Sequence, residues 1–464
     1  MAANPGRGGT PALTPCHLAL FGRAWAVAAL FHVWVNPRSG GFLEDPSATG
    51  WSHVVVVAAA VAVLARPRGV GPLAVLCGAI VVSAYLEAPF VGNHWVLAAL
   101  VSVAFLATRD QRFLPVARAT TLVFYGFAAF AKLNTGFFST ERSCAVFFFD
   151  QAAASWGRAG RVTGDLVSGR VVIVLTVLVE LAIPVLLLVR RTRHAGVVLG
   201  LLFHFVIALN RTHPFADFSA GLDALLLVFL PRSFSTHVTR VLARTPRAVF
   251  VTAGAGAAVV TAALMAPAST RGGRVLDEGR DVLWFTYGMA LLVTVVAWVW
   301  HARRSAPSRR LVGRLGWLWV VPVIAVVNGV TPYVEVKTGY GWNMYANLVT
   351  VDGEGNHLVV RRTLPLTDQQ DELVTILASS DQGLQWYADH GWLLAWPQFR
   401  AHLAQHPAVS IRYARAGTVH DLARAADDAA LVAPVPTWRQ KLLLFRAVDS
   451  QDPPRCQDVW GPAR

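Results

Sequence analysis

"LVELAIPVLLLVRRTRHAGVVLGLLFHFVIALN" (residues 178–210) sets two apolar runs on either side of a short break that carries Arg190, Arg191 and Arg193. Runs rich in Leu, Val and Ala recur along the first 330 residues, each roughly as long as the ~20 residues a helix needs to cross a bilayer. Reading outward from this pair, apolar runs between polar breaks fall at 17–36, 48–65, 70–88, 91–108, 115–133, 170–189, 195–211, 216–231, 248–267, 281–301 and 315–332. Several are short, so the pattern predicts nine to eleven spans. Ten-residue alternation of the kind that builds a membrane β-barrel is missing.

Composition agrees. The chain of 464 residues is 55% hydrophobic and 15% charged, with a mean hydropathy of +0.47, too apolar for an ordinary soluble protein. The fold class expected is an all-α polytopic membrane protein with a small C-terminal extracytoplasmic α+β domain. The first run, His17–Val35, is too long and too poorly flanked for a cleavable signal and reads as the first span.

The net charge of +14 raises the question of nucleic acid. The arginines sit in short loops between apolar runs, where topology accounts for them, so no nucleic-acid partner is expected. Arg66/Arg68, Arg109/Arg112/Arg118, Arg190/Arg191/Arg193, Arg232/Arg240/Arg244/Arg247 and Arg303/Arg304/Arg309/Arg310/Arg314 fall in every second loop. By the positive-inside rule those loops and the N-terminus are cytoplasmic, in a cell membrane. The intervening loops and the C-terminal region then face outward, although Arg271, Arg274 and Arg280 sit in one of them, 268–280. The outward loop 133–169, rich in Phe, Trp, Gly and Arg, reads as a re-entrant or interfacial segment.

These breaks divide the chain into a flexible tail (1–16), a first transmembrane core (17–232), further transmembrane helices (233–332) and a soluble α+β domain (333–464). In the last, "YGWNMYANLVTVDGEGNHLVVRR" alternates and has a turn signal at 352–355, "LTDQQDELVTILASS" and "WPQFRAHLAQHP" read as helical, and "VSIRYAR" reads as a strand. "TAGAGAA" (252–258) resembles a glycine-rich phosphate loop, but it lies inside an apolar run with no strand before it, so close helix packing is the better account. Cys16, Cys77, Cys144 and Cys456 are scattered without a CxxC, which leaves a single Cys144–Cys456 bridge outside the cytoplasm, or free thiols, as the alternatives.

The chain has only three lysines: Lys132, Lys337 and Lys441. Arginine stays protonated in proteins, whereas a buried lysine can give up its proton and act as a base. Lys132, at the outer end of the fifth span in "FYGFAAFAKLNTGFF" (124–138), is therefore a candidate for work that arginine cannot do, with a snorkelling interface anchor as the rival reading. His94, beside Asn93 and Trp95 in "FVGNHWVLAAL" (90–100), stands at the outer end of the fourth span. Its rival reading is an aromatic-belt anchor. Spans four and five share a short cytoplasmic loop and form an antiparallel hairpin, so His94 and Lys132 are expected to meet. Further ionisable groups in apolar runs are Glu180, His204, Asp217, Asp223, Glu87 and His32. Such groups face a cavity or a partner, and together they predict a polar cavity among spans four to eight. HExxH, GxSxG and GxxxxGK[ST] are missing, and the scattered histidines do not favour a metal site.

The elements "GNHWVL" (92–97), "FAAFAKLNTGFF" (127–138), the opening stretch and "FADFSAGLDALLLVFLP" (215–231) occur in an order that resembles the vitamin K-dependent γ-carboxylases and their bacterial HTTM-domain relatives. The resemblance covers roughly residues 17–232. It implies that Lys132 is the base that deprotonates a reduced quinone, vitamin K hydroquinone or a menaquinol. Reaction with oxygen would then generate the strong base that removes the γ-proton of a glutamate, whose carbanion takes up carbon dioxide. It further implies that His94 and Asn93 orient or polarise the reacting groups, and it places His204, Asp223 and Trp95 at the quinol. The partners expected are the bilayer, the quinol and an acceptor protein or small molecule. The animal enzymes carry a much larger lumenal domain, and where the family shows two adjacent lysines this chain has Ala131-Lys132. A transporter or proton relay using Glu180, His204, Asp217 and Asp223, and a non-catalytic membrane scaffold, are the competing readings.

Overall fold

The computed structural model describes residues 15–35, 47–158, 160–265, 273–301, 311 and 316–456. The tail before residue 15, most of the loop 36–50, Arg271, and Arg303, Arg304, Arg309, Arg310 and Arg314 lie outside the described residues.

Every apolar run predicted from sequence is helical. The helices are α1 (Pro15–Val35), α2 (Ala48–Ala65), α3 (Val70–Glu87), α4 (Asn93–Thr108), α5 (Phe113–Ala131), α6 (Cys144–Ser155), α7 (Leu166–Leu188), α8 (Arg193–Ile207), α9 (Ala216–Leu227), α10 (Arg232–Arg244), α11 (Arg247–Met265), α12 (Gly273–His301) and α13 (Val320–Val330). Not all of them are full-length spans. Seven helices among the described residues are long and apolar enough to cross a membrane, or eight if α9 and α10, bent by 119° at their junction, form one broken span. Helices α4 and α8 are shorter, because a polar cap or an arginine turn closes them early.

Helix α1 is the centre of the bundle, with Trp25, Ala26, Ala29 and Phe31 all buried. The outer helices turn apolar side chains outward, as Val75 and Val82 of α3, Leu175 and Leu178 of α7 and Val293 of α12 do. Spread over several helices, such exposure is unusual for a monomeric soluble protein and suits a lipid surface. Two glycines set close approaches: a Cβ on Gly196 would come within 2.9 Å of the Leu187 backbone, and one on Gly329 within 2.4 Å of the Phe127 ring. They let α8 fold back on α7 and α13 lie against α5. In the TAGAGAA segment, helical as expected, Gly256 faces Leu283 of α12 whereas Gly254 faces open space.

Loop 133–169 holds the twelve-residue α6, which buries Cys144 and Val146 and exposes Phe147 and Phe149. Two of the arginine-bearing turns meet, where Arg232 donates to Gln111 across 2.8 Å.

Beyond α13 the chain does not leave the bundle at once. Tyr340 and Trp342 belong to the helical core, with the Trp342 indole donating to Ala325 O at 2.7 Å and its ring 5.2 Å from Phe124. Tyr340, Trp342, Tyr345 and Asn347 all adopt positive φ. The alternation read there as a strand is instead an irregular plug, in which left-handed residues send successive side chains inward. Only β1 (Thr350–Val351) and β2 (Glu354–Gly355) form a short ladder around the expected turn. The sheet proper is five antiparallel strands in the order β6-β5-β3-β4-β7, made of β3 (Val374–Ser379), β4 (Trp392–Leu394), β5 (Ile411–Arg415), β6 (Thr418–Leu422) and β7 (Val448–Asp449). The helical reading of "LTDQQDELVTILASS" was wrong throughout: residues 366–373 are turns and irregular chain, and Val374 and Ile376 alternate inward as β3. The helix in "WPQFRAHLAQHP" is present as Trp396–Gln405, and "VSIRYAR" supplies β5.

Several further ties join the C-terminal region to the helices, three of which bear on the site. Cys144 of α6 and Cys456 form a disulfide. Lys441 donates to the carbonyls of Tyr85, Leu86 and Ala88 at the end of α3, at 2.9, 3.0 and 2.9 Å, a cation on the negative end of the helix dipole. The third tie is main-chain pairing beside Lys132, described next.

Candidate functional site

Lys132 caps the C-terminus of α5. The chain that follows is held by the plug: Leu358 N–H donates to Leu133 O at 2.8 Å and Thr135 N–H to Asn356 O at 3.0 Å. The Asn134 amide donates to Ala131 O at 2.7 Å and Ala346 O at 2.5 Å. His357 donates from Nε2 to Phe130 O at 2.9 Å and accepts from the Val359 and Val360 N–H groups at Nδ1. That pattern fixes one tautomer. Burial pushes the imidazole of His357 below its ordinary value, against the hydrogen bond to Phe130.

So positioned, Lys132 points into a cavity of about 400 Å³. Its amine donates to Glu180 Oε2 at 2.8 Å and to Ala128 O at 3.3 Å, and stands 5.9 Å from the centre of the Phe137 ring. Both side chains are nearly buried, 9% and 12% exposed. The rest of the wall is largely apolar and rich in aromatics, among them Phe124 from α5, Phe148 from α6, Phe203 from α8, Phe218 from α9, and Trp342 and Tyr345 from the plug. A second polar pair reaches the cavity, His204 Nε2 and the Tyr125 hydroxyl, hydrogen-bonded at 2.6 Å. The arrangement is an apolar slot with a cation, a carboxylate and an imidazole–phenol pair, the makeup of a small-molecule site.

The other sequence-predicted residues lie elsewhere. His94 and Lys132 do not pair: His94 Nε2 is bound to Asp217 Oδ2 at 3.0 Å. His94 touches the cavity wall only through Phe218, whose ring is 5.7 Å from His94 and 5.1 Å from His204. Asn93 starts α4 fully buried, with neither side-chain atom hydrogen-bonded among the described residues. Trp95, expected at the quinol, is stacked on His32, with ring centres 3.6 Å apart. Asp223 is buried away from the cavity wall. Of the three residues placed at the quinol, His204 alone lines the cavity.

Around His32 a second cluster gathers His53, Glu87, His94 and Asp217. Two groups in it, His32–His53–Glu87 and His32–His94–Asp217, have donor atoms within 4.8 Å of one another, close enough to hold a metal ion. The expectation of no metal site therefore meets a buried histidine–carboxylate cluster drawn from α1 to α4 and α9.

Sequence reasoning missed Glu180 as the partner of Lys132, along with Tyr125, His53 and the plug aromatics. The signal for Glu180 was present: an acid inside a long apolar helix requires a cation, and Lys132 is the one lysine in the first 330 residues.

The fold and the cavity thus define an apolar helical bundle with a lysine–glutamate site, capped by a small mixed domain. No family model matches the chain, and no match was found among curated proteins or solved structures.

Proposed function

We propose that the chain is a multi-pass membrane enzyme that binds a reduced quinone in the aromatic cavity and uses Lys132 as the base toward it, in the manner of the vitamin K-dependent γ-carboxylases it resembles. The observation that carries this reading is the Lys132–Glu180 pair at 2.8 Å, set in a largely apolar, aromatic-rich slot of about 400 Å³.

The lining suits such a ligand. Phe124, Phe148, Phe218 and Trp342 offer faces for an aromatic ring, and the exposed apolar surface of α6 and α7 gives a lipid-borne tail a route. Once bound, the quinol supplies reducing equivalents for oxygen and, through that reaction, the base that prepares an acceptor, glutamate by resemblance, for carbon dioxide. The protein's part is to hold and move a proton. Lys132 Nζ passes its own proton to Glu180 Oε2 and takes one from the hydroxyl presented to it, so the lysine ends as an ammonium and the carboxyl carries the proton gained. His204 and Tyr125 orient the opposite edge, and the Trp342–Tyr345 plug keeps water out. Asn93 and His94 take no part in this account.

In the orientation proposed, the arginine turns and the N-terminus face the cytoplasm and the sheet domain lies outside. The Cys144–Cys456 bridge supports this, because disulfides persist in oxidising compartments. The competing transporter reading is weakened by the scatter of its residues: Glu180 pairs with Lys132 and His204 with Tyr125, while Asp217 pairs with His94.

The test is turnover of reduced menaquinone by purified protein, with the epoxide resolved by chromatography. Lys132→Arg retains the charge opposite Glu180 but removes the base. It should abolish epoxide formation while leaving the unfolding temperature unchanged. Undiminished epoxide in that variant, or none from the wild type, overturns the reading.

A further inference from the structure

We infer that the second cluster is a mononuclear binding site for a divalent first-row transition metal, with His32 Nε2, His53 Nε2 and Glu87 as its protein ligands. This inference does not rest on the quinol reading. Its residues lie outside the cavity.

Three observations carry it. First, the donor set is two imidazoles and one carboxylate, which suits zinc or iron(II) and leaves a coordination position open. Second, the spacing fits. His32 Nε2 lies 2.9 Å from Glu87 Oε2, and His53 Nε2 lies 3.2 Å from Glu87 Oε1, while adjacent ligands on bonds of about 2.0–2.1 Å stand roughly 3–3.5 Å apart. Third, two of the three ligands are supported from behind. The other nitrogen of His32, Nδ1, faces Asp217 Oδ2 at 3.6 Å, and Asp217 is itself held by His94 at 3.0 Å. A ligating histidine backed by a carboxylate is the usual outer shell of a metal site. Glu87 Oε1 accepts from Ser83 Oγ, which accepts from Trp95 Nε1 at 3.0 Å, and the Trp95 ring lies flat on His32. Four side chains thus fix the orientation of His32 and Glu87. Burial adds a reason: Glu87 and Asp217 are 3% and 6% exposed, and a divalent cation offsets the cost of two carboxylates withdrawn from solvent.

The experiment uses untagged full-length protein in detergent. Metal content is measured by inductively coupled plasma mass spectrometry as isolated, then after chelation and reloading with Zn²⁺ alone. About one ion per chain is expected, with X-ray absorption showing two imidazole ligands and light-atom oxygen ligation. His53→Ala or Glu87→Gln should remove stoichiometric Zn²⁺ binding. Asp217→Asn should weaken it about 10–100-fold without abolishing it, and His420→Ala, in the sheet domain, should leave it intact. Substoichiometric metal in the wild type both before and after reloading overturns the inference, and that reading needs no variant to fold. Zn²⁺ retained in His53→Ala but lost in His94→Ala also overturns it, because the ion would then sit on the Asp217 side of His32. Quinone turnover enters none of these measurements, so failure here and failure of the quinol reading are distinguishable.

Discussion

The Lys132–Glu180 pair gives a sharp quantitative prediction. Both side chains are nearly buried and 2.8 Å apart, so deleting one leaves the other charge stranded, at a cost of about 3–5 kcal/mol for a fully buried pair. The adjoining cavity gives each group some access to water, which puts the expected single-variant cost nearer about 2–3 kcal/mol. The two deletions should differ. Without Glu180, Lys132 still has the Ala128 carbonyl at 3.3 Å and the Phe137 ring, whereas no hydrogen-bond donor to Glu180 other than Lys132 is found among the described residues. Lys132→Met should therefore cost more than Glu180→Leu, and the double variant should recover most of the loss because apolar replacement of both partners is close to neutral. The assay is equilibrium unfolding in mixed micelles as a double-mutant cycle, with a coupling energy of about 2 kcal/mol expected. Additive losses, with coupling under about 0.5 kcal/mol, would refute the buried pair and leave two independently solvated charges.

Three further outcomes follow from the packing. Reduction, or Cys456→Ser, should lower stability by up to about 5 kcal/mol on the chain-entropy account of so long a loop, read as reductant-dependent unfolding and a gel shift without reductant. Trp342→Ala should cost about 3–5 kcal/mol, with dye uptake reporting the opened cavity wall. At Asp449 burial alone would raise the carboxyl, but hydrogen bonds from the Arg455 guanidinium and backbone outweigh it and hold the carboxyl below its ordinary value. Its stabilisation is therefore present above pH ~4 and lost as pH falls further. Near-ultraviolet dichroism of wild type should show an acid transition that is blunted in Asp449→Asn.

The helices were legible in sequence because apolar run length is a local signal, and every predicted run is helical. Span number was not, since whether a run such as α4 or α8 reaches across depends on where a cap or turn closes it. The plug was misread for a different reason. Its alternation matches a strand, but left-handed residues at 340, 342, 345 and 347 are chosen by the cavity they fill, which a single stretch of sequence does not display. In the site, Lys132 and His204 were found as ionisable groups in apolar surroundings, while the pairing of Lys132 with Glu180 rather than His94 depends on which helices pack. The hairpin argument gave proximity of helix ends and could not give side-chain direction. His53, in the second turn of α2, was not singled out, because nothing in its own stretch shows that α3 brings Glu87 within 3.2 Å of it.

The stitching of residues 133–135 to 346–358 has a consequence for biosynthesis. The helices bearing Lys132 and Glu180 are made early, yet the wall that closes over them comes from Trp342 and Tyr345, and the strands that fix the end of α5 come from residues 346–358. On a ribosome Glu180 is made about 160 residues before Trp342, so the lysine–glutamate pair is available well before its enclosure. Chains truncated ahead of residue 340 would insert their early helices and still lack a finished site, so the protein matures from its C-terminal end inward.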